Sequence, residues 1–440
     1  MSGPRTPAAA AGAGAGVRLH RLCCPACGAL LDDDGRVLAC PRNHAPALLR
    51  TVYRSRRMAP DEHAEGMFRY RCWLPVAGEG PVAGPRTAIY RSRALARAAG
   101  LDRLWIAVNG HAPDRGATLP TGTFKDLEAH AVLARLGPGN RHRPLILASA
   151  GNTAAAFARA SADLGQRCLL IVPEWGLADL RFAGERPPWV TVISLIGGAD
   201  YTDAIALADR MTGGCIPAGG AANVARRDAV GTTVLAAAEQ IGRIPYVYVQ
   251  AVGSGAGGIG AHEAAVRLAG DGRFGDGPLR LLLSQNRPYA PMVDAWRAGT
   301  RNFACGPDAR GRTRRIGARV LSSRRPAYSM VGGVYDVLTA SGGDMRAVSN
   351  AEAAAARLLV EELEGFDIDP AAAVAVASLL TAAKDGSVPR SSTVLLNLSG
   401  AGRGLLERAG PLPVPSPDLE IARADLEGPG ALDRVLGLVA

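Results

Sequence analysis

The sequence predicts an α/β fold built on parallel sheet with crossover helices, and three observations carry that prediction. Apolar runs of strand length alternate with Ala-rich stretches of helix length from about residue 86 onward. Glycine-rich turns stand where such a run ends and a helical stretch begins. With 440 residues, 48% hydrophobic and 20% charged, the chain can bury a large core, enough for two or three domains.

At the start of the chain, the Ala/Gly stretch of "MSGPRTPAAAAGAGAGVRLH", residues 1–20, lacks the apolar segment of a signal peptide and is expected to be a disordered tail. Residues 21–80 are expected to form a separate Cys-rich segment, since five of the eight cysteines fall between 21 and 75. Within it Cys24, Cys27, Cys40 and His44 follow C-x2-C-x12-C-x3-H, a spacing suited to a structural zinc held by three thiolates and one imidazole, as in a zinc ribbon. Cys23 and Cys72 show cysteine used without that pattern nearby, so spacing alone does not choose between a metal site and a packed appendage. Gly and Pro in "AGEGPVAGPR", 77–86, mark a linker or turn.

Beyond the linker, "RLWIAVN", "PLILASA", "RCLLIVP", "WVTVISL", "IPYVYVQAV", "LRLLLSQN" and "STVLLNLSG" read as strands. "FKDLEAHAVLARL" and "NTAAAFARASADLG" read as helices. The longest apolar run, "AAAVAVASLL" at 371–380, is about half the roughly 20 residues that a membrane-spanning helix needs, so no membrane partner is expected. The formal net charge of +10 raises nucleic acid as a partner. The densest basic run, "ARGRTRRIGARVLSSRR" at 309–325, is short and has no aromatic residue for base stacking, so an exposed basic loop or a site for anionic small molecules is expected instead. Eight cysteines without a regular framework suggest a reducing cytoplasm, and a homo-oligomer is expected because dimers are the commonest assembly.

Lys125 and Lys384 are the only lysines among 50 cationic residues. A lysine amine can lose its proton and act as nucleophile or base, which a guanidinium cannot. Lys384 sits at the end of an Ala-rich helix before Asp-Gly, where a cation suits the helix dipole. Lys125, in "PTGTFKD", is the candidate for chemistry.

Three further stretches offer ligand-binding backbone. "YVYVQAVGSGAGGIGAHEAAVRLA" runs from a strand through glycines into a helix, so its amides form an anion cradle. Gly253, Gly255 and Gly258 also satisfy the dinucleotide pattern G-x-G-x-x-G, but the next strand ends in Gln285 and Asn286 rather than the acid that would bind a ribose. "ASAGNTAAAFARA" sets Ser149, Asn152 and Thr153 at a strand end and helix start, and a simple helix cap would use one of these side chains rather than three. "LLNLSGAGRG" places Ser399 after a buried strand and before glycines. One amine, one phosphate cradle, one polar anion loop and one hydroxyl at a strand end are what pyridoxal phosphate requires.

With these four segments in this order, over roughly residues 86–405, the chain resembles the fold-type II pyridoxal phosphate enzymes of the tryptophan synthase β family, in the threonine synthase branch. Closer still, it is similar to the archaeal-type cysteate synthase family, which makes cysteate from phosphoserine and sulfite. "RYRCWLPV", "TAIYRSRALARAAGLDRLWIAVNG", "GADYTDAIALADRM" and "NVARRDAVGTT" carry that closer likeness, while the Arg-rich composition departs from that of a methanogen.

The resemblance implies two α/β subdomains with parallel-rich sheets in a catalytic domain over 81–440, the smaller inserted at roughly 125–225. It implies that Lys125 holds the cofactor as an imine and then moves the Cα proton. Asn152 would bond the ring oxygen, and Ser149 and Thr153 the substrate carboxylate. Gly253, Ser254, Gly255, Gly257 and Gly258 would surround the phosphate, and Ser399 would face the pyridine nitrogen. A hydroxyl there cannot hold a proton as a carboxylate would, which favours expulsion of a β leaving group. The implied reaction is loss of phosphate from phosphoserine to give an aminoacrylate, followed by addition of sulfite at Cβ. Arg226 and Arg227 are candidates for holding these anions or, alternatively, part of a solvated helix face. The competing readings are threonine synthase acting on phosphohomoserine, a β-replacement with another nucleophile, and a basic regulatory protein on a vestigial cofactor fold.

Overall fold

The computed structural model describes residues 18–78, 80–149, 151–182, 184–211 and 213–438. The tail expected over 1–20 therefore falls outside the described residues as far as residue 17, and by His20 the chain is already in a strand.

Two sheets organise the chain. The larger has six strands in the order Asp344–Val348, Arg280–Asn286, Val247–Ala251, Thr393–Leu398, Arg103–Val108 and Ala88–Ser92. All neighbours are parallel except the last pair. The smaller sheet is wholly parallel, in the order Ile216–Pro217, Leu145–Ala148, Cys168–Pro173, Val190–Ile196 and Leu419–Ala422. Every residue of Cys168–Pro173 and of Thr393–Leu398 is buried, as continuous apolar strands covered on both faces must be. All seven strands read from the sequence are present. Ala88–Ser92, Ile216–Pro217, Asp344–Val348 and Leu419–Ala422 were not read, being sheet edges that are short or only half-buried.

The smaller sheet departs from a simple insertion at 125–225, because its last strand comes from residues 419–422. The expected boundary near residue 80 also shifts: Met67, Phe68, Leu74 and Val76 already pack into the core of the smaller lobe with Leu127 and Phe157. What stands apart is a three-stranded antiparallel sheet of His20–Cys23, Leu30–Leu31 and Arg50–Tyr53, with a small apolar core of its own.

Helices Val224–Ile241 and Ala256–Asp271 cross at two glycines. A Cβ on Gly231 would lie 2.9 Å from the Gly260 carbonyl oxygen, and one on Gly260 would run into the Arg227 carbonyl. Backbone therefore lies on backbone at this crossing, and it fixes the helix that follows the glycine-rich loop against the helix that carries Arg226 and Arg227.

Candidate active site

A cavity opens at the carboxyl ends of strands from both sheets, where α/β proteins bind ligands. Lys125, Ser149, Asn152, Thr153, Arg226 and Ser399 all line it, with the loop from Gly253 to Gly257. A wider groove between the N-terminal module and residues 133–141 holds none of these residues.

Lys125 opens the helix Lys125–Leu136, and the turn before it is stitched to the Ser399 segment. The Phe124 amide donates to the Ser399 carbonyl at 3.0 Å, the Ala401 amide donates to Gly122 at 3.0 Å, and Thr123 bridges Gly400. The amine donates to Glu128 Oε1 at 2.5 Å, and Arg226 Nε donates to Glu128 Oε2 at 2.6 Å. One carboxylate thus clamps both cations. Burial and the Arg226 guanidinium lower the Lys125 pKa against the opposing pull of Glu128. Burial works against ionisation of Glu128, but Arg226 and Lys125 prevail and hold its pKa below the ordinary value.

The glycine loop lies directly on its backing. A Cβ on Gly253 would sit 2.9 Å from the Val320 carbonyl, one on Gly255 would strike Val334, and one on Gly257 would strike the Gln250 amide. Gly255 has φ +91°, a conformation that costs a residue with a side chain far more. Behind the loop the helix Ala256–Asp271 begins, and its first amides have no intrahelical acceptor. Beneath it runs a buried polar chain: Asn109 Nδ2 donates to Asn397 at 2.8 Å, Asn397 to the Tyr248 hydroxyl at 2.7 Å, and Tyr248 to Gln250 at 2.6 Å.

On the smaller lobe, Asn152 and Thr153 begin the helix Asn152–Leu164, whose start at Gly151 carries no side-chain cap. Both side chains remain at the cavity wall instead of serving the helix. Ser399 is buried at the opposite wall, next to Asp369, whose pKa burial raises.

Two sequence-based expectations need correction. Arg227 does not reach the cavity: its Nε donates to Glu263 at 3.3 Å, and its other nitrogens bond the carbonyls of Ala221 and Leu49. Adjacent helical residues point about 100° apart, so only Arg226 faces the site. Gly258 is not on the cavity wall, and a Cβ on it would meet Leu283 at 2.8 Å, although as the third residue of the helix its amide is among those without an intrahelical acceptor. Glu128, Asp369, Gln250 and Tyr201 line the cavity and were not singled out from sequence. Glu128 alone carried a signal, lying one helical turn after the retained lysine. Gln285, where a nucleotide site would need an acid, instead accepts the amides of Met292 and Val293.

The donor set fits pyridoxal phosphate: a buried amine, a backbone-lined anion nest and a hydroxyl at a strand end meet in one cavity. The profile described as pyridoxal-phosphate dependent enzyme matches residues 83–400. Cysteate synthase of Methanocorpusculum labreanum is 44% identical over 375 residues, covering 84% of this chain and 90% of the relative. That of Methanosarcina acetivorans is 42% identical over 411 residues, covering 92% and 97%. Among solved structures, maize serine racemase superposes with a TM-score of 0.55 at 16% identity, covering 74% of this chain and 92% of that one. The processed form of threonine deaminase isoform 2 from Solanum lycopersicum gives 0.54 at 16% identity, covering 88% and 99%. These structures show the fold. Among the described residues, no helix is long and apolar enough to cross a membrane.

Proposed function

The chain belongs to the pyridoxal-phosphate dependent enzymes and, within them, to the cysteate synthase family, and from that premise we propose that it replaces the phosphate of L-phosphoserine with sulfite to give L-cysteate. Pyridoxal phosphate, when bound, supplies the electron sink that makes the Cα proton of an amino acid acidic. In this reading Lys125 would hold the cofactor, and its amine would be the base that moves the Cα proton. Burial and Arg226 lower the pKa of that amine, the direction that a base requires. Glu128 aims the amine and offsets the positive charge of Arg226.

The nest from Gly253 to Gly257 would hold the cofactor phosphate, and Asn152 would bond the ring oxygen. Ser149 and Thr153 hold the substrate carboxylate. Ser399 would face the ring nitrogen with a hydroxyl, which cannot keep it protonated as a carboxylate would. A hydroxyl there would favour departure of a group from Cβ over transamination. The phosphate that leaves and the sulfite that enters are anions, and two arginines on the cavity wall, Arg226 and Arg319, are the candidates to attract them.

The observation that carries this reading is kinship: 42% identity to the Methanosarcina acetivorans cysteate synthase extends over 97% of that relative. We further propose a homo-oligomer, dimers being the commonest assembly, in a reducing cytoplasm, which suits eight cysteines without a regular disulfide framework. Purified protein given phosphoserine or phosphohomoserine, each with and without sulfite, tests it through phosphate release and product mass. Sulfite-dependent cysteate from phosphoserine is expected. Efficient threonine formation from phosphohomoserine, with no cysteate at saturating sulfite, would replace this reading with threonine synthase.

A further inference from the structure

The N-terminal module holds a cluster that the reaction does not use. Cys24 and Cys27 lie on a tight turn after the strand His20–Cys23, closed by the Cys24 amide donating to Ala29 at 2.9 Å and the Gly28 amide donating to Cys24 at 2.8 Å. That turn puts both sulfurs on one side. Cys40 and His44 arrive from a stretch, 32–46, that contains neither strand nor helix. The one ligand atom offered by each of the four residues lies within 4.8 Å of the others. Cys27 Sγ is 3.7 Å from Cys40 Sγ, and Cys24 Sγ is 3.3 Å from His44 Nε2.

These separations have a simple meaning. Tetrahedral zinc with bonds of about 2.3 Å to sulfur and about 2.0 Å to nitrogen requires roughly 3.8 Å between sulfurs and roughly 3.5 Å between sulfur and nitrogen. A disulfide requires about 2.05 Å, far shorter than the Cys27–Cys40 distance. His44 Nδ1 lies 2.7 Å from the Ala45 carbonyl, and a bond donated there leaves the Nε2 lone pair facing Cys24. Soft sulfur ligands with one imidazole select zinc over calcium or magnesium.

From this geometry we infer that Cys24, Cys27, Cys40 and His44 form a closed structural zinc site that fixes the 36–46 loop against the wall of the catalytic cavity. Four protein ligands leave no open position, so the ion holds structure and takes no substrate. What it fixes is specific. The Val37 carbonyl accepts from Arg135 Nη2 at 2.7 Å, and Leu38 packs where a Cβ on Gly219 would come within 2.5 Å of it. Gly220 and Ala221, the next residues, line the cavity. The apolar core beneath the loop is small, consisting of Leu22, Cys24, Ala29, Ala47, Leu49 and Val224, too few to order so long an irregular stretch unaided.

The test is metal analysis of the full chain, purified without chelator or added metal, beside the variants His44→Cys, His44→Ala and Cys27→Ser/Cys40→Ser. About one zinc per chain is expected. Replacing it with Co2+ should give the visible bands of a tetrahedral thiolate-ligated ion. His44→Cys should keep the metal, whereas His44→Ala and the double serine variant should retain at least about tenfold less against a competing chelator. A metal-free or iron-containing protein as isolated would overturn the inference, as would a Cys27–Cys40 disulfide or zinc that persists undiminished in the double variant. The unaltered chain and His44→Cys keep the question decidable even if the double variant does not fold.

Discussion

The catalytic cavity and the N-terminal module are held in place by opposite means. Around the cavity, close backbone contact does the work: glycines at 253, 255 and 257 lie directly on their backing, and the supporting strands are buried throughout. The module instead docks through buried charge. Arg135 and Asp33 pair at 2.8 Å with neither side chain exposed, and Arg227 bonds the Leu49 carbonyl. Asp228 accepts from Thr51, from Tyr53 at 2.7 Å and from Arg267 at 2.7 Å. One helix serves both regions: Val224–Ile241 turns Arg226 to the cavity and Arg227 and Asp228 to the module.

On the cavity side the largest effect is expected from Lys125→Ala. Turnover should fall by roughly a thousandfold or more, and the absorption of the bound cofactor should vanish. Lys384→Ala should stay within about twofold of the parent in the same assays. On the module side, Asp33→Ala leaves Arg135 buried without its partner and should lower the unfolding free energy by about 3 to 5 kcal/mol in denaturant titration. Burial opposes ionisation of Asp33, but the His20 ring and the Arg135 fork outweigh it and hold its pKa well below the carboxylate range. Because that pKa is depressed by folding, the contribution is complete above the unfolded value near 3.9 and is lost as pH falls through the folded one. Stability of the parent should therefore drop on acidification below about pH 4, and Asp33→Ala should show a weaker acid dependence.

Smaller effects are expected from two further cavity residues. Glu128→Gln removes the group that raises the Lys125 pKa, so the acid limb for recapture of pyridoxal phosphate by the apoenzyme should move to lower pH. Turnover should fall by about tenfold to a hundredfold as the amine loses its clamp. An unchanged acid limb would show that Glu128 does not govern the amine. Ser399→Asp should keep the cofactor bound while lowering β-replacement by roughly tenfold, about the effect of one pKa unit, as the ring nitrogen gains a proton. Normal turnover of that variant would remove the electronic role of the hydroxyl.

Much of this molecule was legible because its parallel strands are continuous apolar runs and its ligand loops sit at their ends. Lys125, Asn152, Thr153, the glycine loop and Ser399 were all named from sequence and meet in one cavity. Glu128 was not, because its meaning depends on Arg226, 98 residues away. Asp369 was hidden for a similar reason: it reads as an ordinary helix cap, and only packing against Gly400 brings it to the site. Arg226 and Arg227 point about 100° apart on their helix, but which of the two faces the cavity depends on how that helix packs. The strand Leu419–Ala422 had no local signal, following a proline-rich stretch and acquiring its order from pairing with Val190–Ile196.

That strand also decides how the protein tolerates clipping. Asp418, just before it, accepts the Val192 amide at 2.7 Å and pairs with Arg186 at 2.6 Å, so the tail seals the outer edge of the smaller sheet. A protease cutting between residues 411 and 417 would leave every group around Lys125 in place. It would free the tail to leave and bare Val190–Ile196 as an unpaired parallel edge, with Ile193 and Leu195 stripped of Ile421, Leu426 and Val435, a surface that templates strand addition. Trimmed protein would then fail first as a precipitate in storage, before any fault appeared in its catalytic chemistry.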